Sequence, residues 1–162
     1  MITQQRLKEV LSYDPETGDF RWRVTRGRSA AGCIAGCIYR KVYVTIKIDG
    51  VMHQAHRLAW LYQTGRLPAG EIDHEDRDGT NNRFLNLREA SRSQNGANRG
   101  VHRNNKVGIK GVKLMPGNLS KPYSARIQVN GRGIHLGVFP TAEQAGAAYQ
   151  AAAKQYYGEF AA

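Results

Sequence analysis

A chain of 162 residues has room for one ordinary domain or two very small ones, and 41% apolar residues suffice for a core. Lys and Arg total 24 against 13 Asp and Glu, a formal net charge of +11, which points to a polyanionic partner rather than a small-molecule substrate. No apolar run approaches the roughly 20 residues of a spanning helix, the N-terminus MITQQRLKEV lacks a secretory signal, and two cysteines exclude a disulfide scaffold, so a soluble cytoplasmic protein with no membrane partner is expected.

Thr3 can cap a short helix with Leu7, Val10 and Leu11 as its apolar positions, and Asp14-Pro15-Glu16-Thr17-Gly18 reads as a turn. Phe20–Val24 and Val42–Ile48 alternate as strands, and Asp49-Gly50 is a hairpin signal. Trp22, Tyr39 and Tyr43 interleave with Arg21, Arg23, Arg26, Arg28, Arg40 and Lys41, which suits either a DNA-contact hairpin or a sheet with a solvated basic face. Cys33 and Cys37 read as small buried residues, and no structural zinc is expected because a second cysteine pair is lacking.

A helix is predicted from Ala55 to Thr64, ended by Gly65 and Pro68, then a short strand at Glu71–His74, a polar turn-rich segment Glu75–Phe84, and a return strand at Asn86–Arg88. Ser91 and Gln94 have capping-box spacing, so a helix should start at Ser91. This strand, loop, strand, helix unit folds back on itself. Asp73 and Asn95 can then face each other as hard oxygen donors suited to Mg²⁺ or Mn²⁺, with water and phosphate completing the shell.

The segments AHRLAW (55–60), EIDH (71–74), NNRFLNL (81–87) and SRSQNGAN (91–98) resemble the HNH nuclease family, in its Asn-type branch of phage and intron-encoded homing endonucleases. The signature positions are His74, Asn86 and Asn95, spaced by 12 and nine residues. The resemblance implies a ββα-metal fold holding one divalent cation. His74 would be general base to an attacking water, Asp73 and Asn95 would bind the metal, and Asn86 would fix the loop and the His74 ring. Arg83 and Arg88 would help hold phosphate. His56 reads as a structural or supporting residue rather than a chemical one.

Charge then changes along the chain. From Ala90 to Ala142 there is no Asp or Glu, while nine Lys or Arg fall in that window. Residues 99–106, with Arg99 and Arg103, read as a basic linker. Strands follow at Ile109–Lys113, Tyr123–Val129 and Arg132–Phe139, the last two joined by an Asn130-Gly131 turn. A second capping box, Thr141 and Gln144, opens an Ala-rich helix to about Tyr157. GIKGV, YSARIQV and the stretch from Ile134 through LGVF resemble the plant APETALA/ethylene-response-factor DNA-binding domain, in which the sheet enters the major groove. Alternation turns Ala125, Ile127 and Val129 toward the helix and Ser124, Arg126 and Gln128 outward, with Lys110, Lys113, Arg132 and His135 flanking them. His135 stands where the plant domain usually has Trp, and Arg126 where it usually has Glu, so base preference does not carry over.

The expected architecture is α+β: an HNH nuclease domain over 1–98 with its core at 55–98, a linker at 99–106, and a small three-stranded antiparallel sheet with one packed helix over 107–160. The expected function is metal-dependent cleavage or nicking of double-stranded DNA by an enzyme of phage or mobile-element type, with the oligomeric state open and a monomer favoured. The rival is a DNA-binding regulator with a non-catalytic HNH unit.

Overall fold

The computed structural model describes residues 1–40, 42–117 and 120–161, so Lys41 of the N-terminal basic set lies outside the described residues. The fold is mixed α+β, with short helices and small antiparallel sheets. It divides into two compact units, 1–89 and 90–162.

In the first unit, Thr3 accepts a hydrogen bond from the Arg6 amide and opens α1 (Gln4–Val10). β1 (Leu11–Tyr13) pairs antiparallel with β2 (Phe20–Trp22) around the turn at 14–18. β3 (Cys37–Tyr39), β4 (Tyr43–Ile48) and β5 (Val51–Gln54) form a three-stranded antiparallel sheet. Asp49 and Gly50 both have positive φ, 48° and 84°, as a two-residue turn of this hairpin requires. α2 (Ala55–Thr64) ends at Gly65, whose φ of 77° places it in the left-handed region. β6 (Glu71–His74) pairs with β7 (Leu87–Ala90), and a 3₁₀ turn at Phe84–Asn86 precedes the return strand. Leu7, Leu11, Phe20, Ile46, Ile48, Leu58 and Ala59 are the centre of one apolar core. Ile72 and Leu87 join it, so the strands around the candidate site are anchored by side chains of the same core.

In the second unit, Ser91 and Gln94 form the reciprocal capping box and open α3 (Arg92–Asn98). β8 (Val112–Leu114), β9 (Tyr123–Val129) and β10 (Arg132–Phe139) form an antiparallel sheet in the order β10-β9-β8. α4 (Ala142–Tyr157) packs on it. Ala125 and Ile127 are buried against Ala145, Tyr149, Ala152 and Ala153, and Arg126 and Gln128 are exposed, as the alternation predicts. Ala90 and Ala97 belong to this core, which is why the units divide at 89/90 and α3 is counted with the second.

Three local expectations are corrected. Cys33 and Cys37 are exposed, because one lies in a turn and the other on the edge strand β3. The box at α4 is half made: Thr141 accepts from the Gln144 amide, without the reciprocal bond. The strand expected at Ile109–Lys113 begins only at Val112, since Asn105 accepts from the amides of Val107 and Gly108 and donates to the Ile109 carbonyl, holding that stretch as turns.

Candidate active site

β6 is buried at Ile72, Asp73 and His74, so its two polar side chains are both sequestered from bulk water. The first turn of α2 carries His56, buried at 5% exposure, with its ring 5.1 Å from that of His74 and perpendicular to it. Tyr43 of β4 lies 5.3 Å from the His56 ring and 6.0 Å from the His74 ring. Gly79 permits this arrangement, because a Cβ there would fall 2.3 Å from the Val42 carbonyl oxygen and 2.7 Å from the Tyr43 ring.

Burial holds both imidazoles neutral. For His74, desolvation lowers the pKa from the ordinary histidine value, partly opposed by the bond to Asn82 and by Asp76, Asp73 and Asp78. A neutral imidazole is the form that accepts a proton. For His56, burial first, then the charges of His74 and Arg57, lowers the pKa to about 3. Its Nδ1 is buried with no hydrogen-bond partner among the described residues.

This predicts an acid-sensitive fold. The unfolded chain protonates His56 near 6.5 and the folded chain only near 3. Its contribution to stability is complete above 6.5 and is lost as pH falls toward 3, because the unfolded state binds the extra proton across that window. At pH 5 the loss from this side chain is about 2 kcal/mol. Urea unfolding at pH 7 and pH 5 should show that the drop is smaller in His56→Gln than in wild type. An equal drop in both would remove His56 as the cause.

Asp73 forms an ion pair with Arg88, whose Nε lies 2.9 Å from Oδ2; the side chains are 4% and 17% exposed. Arg88, expected on phosphate, is thus placed on the carboxylate expected to hold metal. Asn86 organises the loop: its Oδ1 accepts from the Asp76 amide at 3.0 Å, and its Nδ2 donates to Asp76 Oδ1 at 3.0 Å and to the Asn81 carbonyl at 2.8 Å. The ring of His74 is met instead by Asn82, Oδ1 to Nε2 at 3.5 Å. Asn82 is 3% exposed and carries no periodic signal in the sequence; only the NN doublet in a turn marks it. Asn95 is half-buried in α3, on the second unit.

By residue type, the Asp73 carboxylate and the Asn95 amide each offer an oxygen donor of the kind that suits Mg²⁺ or Mn²⁺. Among the described residues no group of three or more His, Cys, Asp or Glu is placed to hold a metal ion.

Of the residues expected on DNA, Arg83, Arg99, Arg103, Lys113, Arg126, Gln128, Arg132 and His135 are exposed. Ser124 is half-buried, with its hydroxyl 3.5 Å from His135 Nδ1. His135 is registered against Arg126, Gly133 against Gln128, and Lys113 against Ser124, so these side chains form one outward face. A Cβ at Gly133 would overlap the Arg126 guanidinium, which lies flat across the sheet at that point. Lys110 differs from the others. Its Nζ donates to the carbonyls of Ala97 and Arg99 and so closes the C-terminus of α3.

Among the described residues no helix is long and apolar enough to cross a membrane. Residues 53–97 match the HNH endonuclease family. An uncharacterised HNH endonuclease of Acanthamoeba polyphaga mimivirus is 35% identical over 111 residues, covering 67% of this chain and 56% of the relative, so the chain spans about half the length of the protein it matches. No solved structure matches the chain. The matched stretch holds His56, Asp73, His74, Asn82 and Asn86 together with Asn95, and residues 53–97 are accordingly an HNH endonuclease domain.

Proposed function

We propose that the chain is a metal-dependent DNA endonuclease of phage or mobile-element type, acting on duplex DNA in the cytoplasm of a bacterial host. The observation that carries this reading is His74: a buried imidazole, held neutral by desolvation, beside Asp73 in a segment that matches a nuclease family. His74 takes a proton from water as the water oxygen attacks phosphorus. The P–O3′ bond breaks, and the departing oxygen is protonated from solvent, giving a 5′-phosphate and a 3′-hydroxyl. Asp73 and Asn95 are the residues that would hold the divalent cation, which supplies charge stabilisation at the leaving oxygen. Arg88 holds Asp73 in place, and Asn86 holds the loop between the two strands. The ends left by cleavage should be resealed by DNA ligase; ends that ligase cannot join would contradict this polarity of bond breaking.

The three-stranded sheet of the second unit is proposed as the sequence reader, an APETALA/ethylene-response-factor-like domain over 107–160. Its support is the outward face of Arg126, Gln128, Lys113 and His135 in a stretch without carboxylates. Arg126 has the donor fork that reads guanine, and Gln128 the amide that reads adenine. Arg126→Ala should reduce discrimination between target and unrelated duplexes by about 1–3 kcal/mol. Lys113→Ala should weaken all sequences equally, since a phosphate contact carries no base information. Competition gel shifts with target and random duplex separate the two. Arg126→Ala with intact discrimination would place the reader elsewhere.

A further inference from the structure

The β1–β2 hairpin reaches the candidate site from the N-terminal part of the chain. The Tyr13 hydroxyl, at the end of β1, donates to the main-chain carbonyl of Asn82 at 2.7 Å in a buried bond 69 residues away in sequence. The Pro15 carbonyl accepts from the Phe84 amide at 3.0 Å. Gly18, with φ +81°, lies so close that a Cβ there would fall 2.6 Å from the Asn82 carbonyl carbon and 2.6 Å from the Arg83 nitrogen. Three successive points of the β1–β2 hairpin thus grip residues 82–84 from one side.

The gripped residue is the one that meets His74. The Asn82 amide has its orientation fixed by its other end: Nδ2 donates to the Thr80 carbonyl at 3.1 Å. Turning the amide over would set Oδ1 against that carbonyl oxygen, two acceptors with no proton between them. Oδ1 therefore faces His74 Nε2, and an acceptor there requires a proton on Nε2. In a neutral ring the lone pair is then on Nδ1.

Resting on the nuclease reading above, we infer that Asn82, clamped by Tyr13 and Gly18, is the positioning residue that fixes the His74 ring and holds it as the Nε2–H tautomer. Asn86, by contrast, holds the loop through Asp76 and Asn81 and does not set the tautomer. The role also assigns a task to the β1–β2 hairpin, which lies outside the segment that matches the family. Its turn fixes the residue that orients the base.

The test uses the full-length, metal-free protein and long-range ¹H–¹⁵N NMR of the histidine rings, which reports which nitrogen carries the proton independently of activity. Wild-type His74 should show Nε2–H. Asn82→Leu, which removes the acceptor, should give a mixture of tautomers. Asn86→Ala should leave Nε2–H unchanged. In Mg²⁺-dependent cleavage, Asn82→Leu should lower kcat by about 10- to 100-fold with KM for DNA unchanged. Tyr13→Phe removes only the hydroxyl that holds the Asn82 carbonyl and should shift the tautomer in the same direction by less, which keeps the test open should Asn82→Leu not fold. An Nδ1–H tautomer in wild type, or an unshifted Nε2–H in both Asn82→Leu and Tyr13→Phe, overturns the inference. Absence of cleavage by wild type overturns the nuclease reading alone, and the spectra still decide the role of Asn82.

Discussion

His74→Ala should abolish DNA cleavage while leaving DNA affinity within about twofold of wild type. A positioned general base is worth about 10²–10⁴ in rate, and His74 has the properties of one. It is neutral because it is buried, and its ring is bounded by His56, Tyr43 and Asn82. Affinity should persist because the exposed cations of the outward sheet face, Lys113, Arg126 and Arg132, are untouched. Filter binding and single-turnover cleavage on the same preparation separate the two quantities. Cleavage by His74→Ala at near wild-type rate would remove His74 from the mechanism.

Asp73→Ala should fail twice, in activity and in stability, and a second substitution should separate the failures. Removing the carboxylate takes the 2.9 Å ion-pair partner from the Arg88 guanidinium, whose side chain is only 17% exposed. Breaking one half of a pair this buried costs about 3–5 kcal/mol, because the remaining charge stays desolvated. In Asp73→Ala/Arg88→Met the uncompensated charge is gone, and an apolar side chain of similar length fills its place. Urea unfolding should show that the double variant regains most of the stability lost in the single one. Metal-dependent cleavage should remain absent in both, because the oxygen donor is missing in both. Cleavage by the double variant would show that Asp73 serves only the fold.

Several elements could be read to the residue because a local signal and a tertiary demand agreed. α2 spans Ala55–Thr64 as its 3.6-residue period and Gly65 indicate, and β9 and β10 turn at Asn130-Gly131, whose φ values of 48° and 79° suit a two-residue hairpin. β1, β3 and β5 were not legible. Each is three or four residues long, β1 begins on the last apolar residue of the preceding helical pattern, and β3 and β5 lack a buried–exposed alternation. They exist because β2 and β4 offer them a ladder, which no short window of sequence reveals. Cys33 and Cys37 illustrate the same point from the other side: the usual burial of cysteine yields to a turn and an edge strand.

The site shows a similar division. Asp73, His74, Asn86 and Asn95 stand out by residue type and spacing, and the structure puts the first two side by side in a buried strand. Arg88 on Asp73 and Lys110 on the α3 carbonyls could not be anticipated, since an arginine or lysine near a basic face reads as a phosphate contact until its partner is seen. Asn82 is the clearest case. Its side chain matters through an amide orientation set by Thr80, and its backbone is held by a tyrosine 69 positions earlier. Neither relation has a signature in spacing.

In the proposed mechanism the buried His74, with a divalent cation held through Asp73 and Asn95, makes this chain a DNA-cutting enzyme. Supercoiled plasmid incubated with the full-length protein tests it most directly. Mg²⁺ or Mn²⁺ should convert the plasmid to nicked or linear form, excess EDTA should stop the conversion, and His74→Ala should show none with either cation. Conversion that persists in EDTA or in the variant would contradict the mechanism. A wild-type protein that binds the plasmid and leaves it supercoiled would make the chain a DNA-binding regulator with a non-catalytic HNH unit.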